Sequence, residues 1–269
     1  MKYKAVFIDV DGTLLTDDLT ISAGTKEIIT ELHQQGILIA IVTARPPNAT
    51  LPFYKELGII ENPVICFNGA LVIQNDQILD EEMIALQDAR KIINEVRNFK
   101  ISISIYKHHI WYTNQHDGWI AQESQITNCV ATQIELDKLI TDDFYANKIM
   151  LMGESDALNA VSVHLKSIGF ENLNIHKSKP TYLEIVSNRA SKSKGIQKVI
   201  SARNITADQI ITIGDNFNDV DMFLLAGTSI AMGNAPDAVK KQATLVTDTN
   251  NADGIKKALM KLLFLNNKA

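Results

Sequence analysis

The chain opens MKYKAVFIDVDGTLL, a short apolar run that closes on two acids, Asp9 and Asp11. The run does not alternate polar with apolar, so as a strand it needs cover on both faces, which is the condition of a parallel strand between helical layers. ILIAIV (residues 37–42) and PVICF (63–67) repeat the pattern. The helical stretch from about Ser22 that Gly36 terminates, and a second one reaching about Leu57, separate the three runs. This order is β-α-β-α-β. It returns near the end with IITIGD (210–215), TSIAM (228–232) and ATLVT (243–247), which alternate with helices predicted at 219–226 and 251–263. The fold class read from this pattern is α/β: a doubly wound parallel sheet whose two halves are separated in sequence.

Between the halves the texture changes. A helix is predicted from about Ile84 to Phe99, followed by ISISIY (101–106), whose strict alternation predicts a strand with one exposed face, and then by HIWYT, which completes a hairpin. KIMLM (148–152) precedes a second helix-strand-strand series at 156–167, 173–176 and 182–186. Residues 1–82 and 185–269 are therefore assigned to a core, and 83–184 to an inserted α+β domain with an open-faced sheet.

Composition narrows the partners. A net charge of −5 and a pI near 5.7 give no general attraction to nucleic acid or anionic lipid, so an anionic ligand has to be held by local groups. Two cysteines, Cys66 and Cys129, are too few for a disulfide framework and read as free thiols, which fits a reducing cytoplasm. Asp9 interrupts the first apolar run before a signal-peptide core forms, and no run approaches a membrane span.

In doubly wound sheets ligands bind at the carboxyl ends of the strands. Here those ends carry Asp9 and Asp11, Thr43, Asn68, and Asp215 to Asp219. Clustered carboxylates repel one another unless a cation neutralises them, and several Asp oxygens together suit Mg²⁺. Hydroxyl, amide and lysine groups at the same edge suit an anion beside the metal, which points to a phosphoryl group.

DVDGT (9–13), VTAR (42–45), SKG (193–195) and GDNFND (214–219) resemble, in order and spacing, the four motifs of the haloacid dehalogenase-like hydrolase superfamily. NGA (68–70) and the long insert are similar to its Cof-type phosphatases with a C2B cap, and the resemblance covers essentially the whole chain. It implies a Rossmann-like core with a cap closing over the site, and a Mg²⁺-dependent phosphatase acting through an aspartyl-phosphate. By the same resemblance Asp9 is the nucleophile and Asp11 the acid and base. The metal is held by Asp9, Asp11 through its backbone carbonyl, and Asp215, with Asp219 behind them. Thr43, Ala44, Lys194 and Asn218 hold the phosphate. Lys192 is expected to be an ordinary surface lysine.

Arg45 is left between a substrate contact and solvent, Asn68 between the site's edge and a turn with Gly69, and Asp219 between a support for the metal ligands and a helix N-cap. His108, His109, Trp111 and Tyr112 are read as a hairpin tip beside a packed strand. The expected substrate is a small phosphate monoester, of a sugar or of a cofactor such as pyridoxal phosphate or flavin mononucleotide. A phosphomutase is the enzymatic alternative, disfavoured because the insert offers only Arg90 and Arg97 to clamp a second phosphate. A non-catalytic phosphate sensor is the other alternative, disfavoured because every acid is present. Oligomeric state is not legible.

Overall fold

The computed structural model describes residues 2–265, which divide into two compact units: residues 2–44, 50–80 and 191–265, and residues 45–49 with 81–190. The chain runs β1 (Ala5–Ile8), α1 (Ala23–Gln34), β2 (Leu38–Val42), α2 (Pro47–Leu57), β3 (Val64–Cys66), β4 (Leu71–Gln74) and β5 (Gln77–Glu81). The second unit supplies α3 (Leu86–Val96), β6 (Ser102–Lys107), β7 (Ile110–Thr113), α4 (Gly118–Thr127), β8 (Thr132–Gln133), α5 (Leu136–Leu139), β9 (Lys148–Met152), α6 (Ser155–Ile168), β10 (Leu173–Lys179) and β11 (Tyr182–Ser187). The chain then returns through α7 (Lys192–Ser201), β12 (Ile210–Gly214), α8 (Val220–Leu225), β13 (Thr228–Ala231), α9 (Asp237–Lys240), β14 (Leu245–Val246) and α10 (Gly254–Met260).

The first unit is built on an eight-stranded sheet of order β14-β13-β12-β1-β2-β3-β4-β5. Its pairings from β14 to β3 are all parallel, and β4 adds to β3 antiparallel. The uninterrupted apolar runs are explained by where alternate residues go. Val6, Ile8, Ile39, Ile41, Ile211 and Ile213 pack on one side with Ile28 and Leu32 of α1 and Ile255 and Leu259 of α10. Phe7, Ala40, Val42 and Ile65 pack on the other with Ile196 and Val199 of α7 and Phe223 of α8. Both faces are core, so no position along the strand is free to be polar until its end. Ser22 caps α1 by accepting the Thr25 N–H at 3.1 Å, and Gly36, at φ +83°, turns the chain out of it.

The second unit carries a six-stranded sheet of order β10-β11-β9-β6-β7-β8. One face, with Ile103, Ile105, Ile149, Leu151 and Leu183, packs on α3 and α6 through Ile92, Val96, Leu158 and Val161. The opposite face is not open, which corrects the reading of ISISIY. Ser102 and Ser104 are wholly buried, and Lys148 and Glu184, which pair at 3.2 Å, are buried too. The cover includes α4, which the sequence reading missed. Asp117 caps it by accepting the N–H groups of Trp119 and Ile120, each at 3.0 Å, and takes the Ser102 hydroxyl at 2.5 Å. Gln122 donates to the Tyr182 hydroxyl at 3.3 Å, and Glu123 is buried. Alternating Ile and Ser thus separates an apolar buried face from a polar buried one.

The boundaries shift as well. A division at 184/185 would cut β11, which pairs with β9 and β10 along its length, so the second unit keeps the whole strand and ends at Ala190. His108 stands at the tip of the β6–β7 hairpin at φ +53°, its Nε2 2.8 Å from Glu81 Oε1, while His109 is exposed.

Asp117→Ala should destabilise the protein by about 1–2 kcal/mol through the lost cap. Urea denaturation followed at the tryptophans measures it; an unchanged midpoint would mean that α4 does not depend on Asp117.

Candidate active site

Asp9 follows the last residue of β1 at the centre of the sheet, and its backbone N–H still donates to Ile213 O at 3.0 Å. The chain then turns sharply: the N–H groups of Leu14 and Leu15 return to the carbonyls of Asp9 and Val10 at 3.1 and 3.0 Å. Gly12 makes the turn at φ +81°, and a Cβ there would lie 2.5 Å from Asp215 Oδ2, so backbone conformation and lack of room both require glycine. The turn aims the Thr13 hydroxyl at Asp215 Oδ1, 2.8 Å away.

Asp215 follows β12, the strand paired with β1. Asp219, wholly buried, accepts the N–H groups of Asp215 and Asn216 on Oδ2, each at 2.9 Å. It therefore caps the turn after β12, and its other oxygen does separate work. Lys192 Nζ lies 2.5 Å from Asp219 Oδ1 and 2.6 Å from Asp9 Oδ1, with its side chain fully buried. Asp219 stands at the N-cap position of α8, but its side chain makes no cap bond to that helix and reaches back to the turn after β12 and to Lys192.

The two lysines of SKSKG are placed the opposite way from the expectation. Lys192 is in the carboxylate cluster; Lys194 is exposed, and its contribution is a backbone N–H given to Ser191 Oγ, the helix N-cap, at 3.3 Å. The reason is helical register. Lys192, Gly195, Ile196, Val199 and Ile200 form the buried stripe of α7, and Lys194 falls off it. A Cβ at Gly195 would lie 2.5 Å from Ile65 Cγ2, which shows how closely that stripe meets the sheet. The spacing K-x-x-G-I-x-x-V-I was readable in the sequence and names Lys192 as the inward lysine.

Thr43, buried at the end of β2, joins the neighbouring strand end: its N–H donates to Ile65 O and its carbonyl accepts the Asn68 N–H, both at 2.8 Å. Ala44 is not among the positive-φ residues, so its backbone carries no strain of that kind. Asn68 sits at φ +54° and accepts from Asn218 Nδ2 at 3.1 Å, so it is both a turn residue and part of this edge. Arg45 is buried and donates to Ile126 O at 3.4 Å, so it does not face solvent. The Asp11 side chain is exposed, and the cluster whose ligand atoms lie within 4.8 Å of one another is Asp9, Asp215 and Asp219. Both Asp219 oxygens are engaged, Oδ2 by two backbone N–H groups and Oδ1 by Lys192.

Three carboxyl groups, Asp9 and Asp219 buried and Asp215 half-buried, face one ammonium, a deficit of two positive charges when all three are ionised. Burial raises Asp9 well above the usual carboxylate range; Lys192 opposes the rise, and Asp219 and Asp215 add to it. Burial also lifts Asp215 to about 6, against the Thr13 hydrogen bond, with Asp219 adding to the rise. Burial alone would lower the Lys192 ammonium, but Asp219 and Asp9 outweigh it and hold it charged. A divalent cation with a preference for oxygen, such as Mg²⁺, fits this donor set and this charge.

Residues 6–259 match the family model described as haloacid dehalogenase-like hydrolase. A putative phosphatase of Haemophilus influenzae is 32% identical over 264 residues, covering 95% of this chain and 96% of the relative. The pyridoxal phosphate phosphatase of Escherichia coli is 27% identical over 95% of this chain and 97% of its own. Among solved structures, a haloacid dehalogenase-like hydrolase from Bacteroides thetaiotaomicron superposes with a TM-score of 0.91 at 25% identity, covering 97% of this chain and all of that one.

The raised acids set a pH dependence. In the metal-free protein, between about pH 4 and 6, the folded state keeps a proton on Asp215 that the unfolded chain has released, so this site lowers stability as pH rises through that window. Saturating Mg²⁺ should therefore raise the melting temperature by several degrees near pH 7.5 and by much less near pH 5, where protons compete for the same oxygens. Equal rises at both pH values, by calorimetry, would place Mg²⁺ elsewhere.

Proposed function

This chain belongs to the haloacid dehalogenase-like hydrolase family and is a phosphatase of its Cof type, and from that premise we propose that it hydrolyses small soluble phosphate monoesters through a phosphorylated Asp9. The observation that carries the reading is Lys192 held between Asp9 and Asp219 at the carboxyl edge of the parallel sheet, with Asp215 beside them.

Lys192 engages Oδ1 of Asp9. An Asp9 carboxylate oxygen forms the bond to phosphorus as the bond to the leaving alkoxide breaks, and Asp11 gives that alkoxide its proton. In the second half Asp11 takes a proton from water, the water oxygen bonds to phosphorus, and the phosphorus–Asp9 bond breaks. Free carboxylate and inorganic phosphate are the products. Lys192 keeps Asp9 oriented and offsets charge on the phosphoryl oxygens; Asp219 keeps Lys192 charged and in place. Thr43, the backbone at Ala44 and Asn218 hold the transferring group, Asn218 from its bond to Asn68. An Asp9 oxygen, the Asp11 backbone carbonyl and Asp215 would hold Mg²⁺, which when bound would draw charge from the phosphoryl oxygens.

Sugar and cofactor phosphates are the proposed substrates, and the similarity to a pyridoxal phosphate phosphatase supports the cofactor class. Two free buried cysteines suit action in a reducing cytoplasm. A mutase is disfavoured by the partners of the insert's arginines: Arg90 binds Asp142 and Arg97 binds Asp137, at 3.2 and 3.1 Å. Neither is held ready for a second phosphate.

Phosphate release from a panel of monoesters, with and without Mg²⁺, tests the reading. Asp9→Asn should abolish release with the fold retained, since an amide of nearly the same size is a poor nucleophile. Lys192→Ala should lower kcat about a hundredfold, about 2.7 kcal/mol, while Lys194→Ala stays within about twofold of wild type. Turnover by a deamidation-free Asp9→Asn preparation would rule out the covalent route, and a crippled Lys194 variant would rule out the lysine assignment.

A further inference from the structure

Asn234, in the turn after β13, has an exposed side chain that nonetheless makes three directed contacts. Its Nδ2 donates to Gly12 O at 2.8 Å and reaches Asp215 Oδ2 at 3.4 Å, and its Oδ1 accepts the backbone N–H of Asn250 at 3.1 Å. The orientation of this amide follows from its partners. A backbone N–H can only donate and a backbone carbonyl can only accept, so oxygen must face Asn250 and nitrogen must face Gly12.

Asn250 is itself fixed. Its side chain, buried, donates to Leu15 O at 3.0 Å and to Asp17 Oδ1 at 3.1 Å, at the far end of the turn that begins at Asp9. The two asparagines thus clasp that turn at both ends, and Asn234 does so where it matters for charge. Asp215 is held from two directions: Thr13 donates to Oδ1 and Asn234 approaches Oδ2. Gly12, the other partner of Asn234, lies between Asp11 and Thr13, in the turn whose Thr13 hydroxyl reaches Asp215.

We propose that Asn234 is a positioning residue for the divalent cation, orienting the Asp215 carboxylate and the Gly12 turn; this rests on the metal-dependent reading above. An aspartate could not replace it, because an acceptor would then face Gly12 O and a second negative charge would face Asp215. Exposed hydrogen bonds contribute little to net stability, whereas groups that orient metal ligands typically change metal affinity by about 10–100-fold. Affinity and stability should therefore separate.

The test is calorimetric titration of the metal-free protein with Mg²⁺, without substrate, alongside thermal melting. Asn234→Ala should weaken Mg²⁺ binding about tenfold while the metal-free melting temperature moves by no more than about 2 °C. Asn234→Ser, polar but too short to span its partners, should do the same. Asn250→Ala keeps the backbone N–H but loses a buried bond to Leu15 O and a part-buried one to Asp17, so it should lower the melting temperature with a smaller change in Mg²⁺ affinity. Unchanged affinity in both Asn234 variants overturns the inference, as does an equal loss in Asn250→Ala, which would make the effect one of loosened loops. Absence of Mg²⁺ binding by the wild type overturns the metal-dependent reading and this inference with it.

Discussion

A lysine with no exposed side-chain surface lies between two carboxylates, and the rest of the site is arranged around the cost of putting it there. Taking an ammonium and two carboxylates out of water is expensive, and is tolerated only where geometry and further hydrogen bonds are good. Both partners meet that demand: Asp219 is clamped by two backbone N–H groups, and Asp9 extends from a strand in register with β12. The helix that carries Lys192 is fixed at its first turn by the Ser191 hydroxyl and by Asp221, which accepts the Ser193 N–H at 2.8 Å. Glycines at 69, 195 and 214 let backbone and side chain approach where a methyl group would overlap Ser191, Ile65 and Asp219. The arrangement still leaves an excess of negative charge, and that excess gives the site its use for a cation.

Much of the first unit was legible because its signal is local and physically simple. Strands covered on both faces must be apolar throughout, so any polar residue closing one marks the sheet's edge, and Asp9, Thr43 and Asp215 were found in this way. The lysine was missed through a choice of evidence within the sequence. Counting back from Gly195 selects Lys194, whereas the apolar period of the helix selects Lys192, and packing obeys the period. Asn234 and Thr13 carried no comparable signal: each acts through a contact with residues far away in sequence, and neither residue type is unusual in a turn.

The second unit was harder to read because its polar residues are not at its surface. Ser102, Ser104, Lys148, Glu123 and Glu184 are buried, and each looks in sequence like part of a solvated face. What hides them includes α4, whose N-cap at Asp117 was a readable signal within a segment of weak amphipathicity. Of the two readings left open for Arg45, solvent exposure is not the one the chain adopts: the residue is buried and its guanidinium donates to a backbone carbonyl.

The place where Gly69 meets Ser191 bears on the order in which the chain can assemble. A Cβ at Gly69 would lie 2.0 Å from Ser191 O, so two stretches from either side of the insert touch backbone to backbone within the first unit. In an unfolded chain, closing that contact means looping out everything from β4 to Ala190, at an entropic cost that grows with the logarithm of length. Folding the second unit first shortens the loop, because its two ends come together: Arg189 Nε lies 2.9 Å from Glu82 Oε2. With the second unit folded, the Gly69–Ser191 contact closes a far shorter loop than the chain between them, so the insertion then acts as a tether for the parallel sheet.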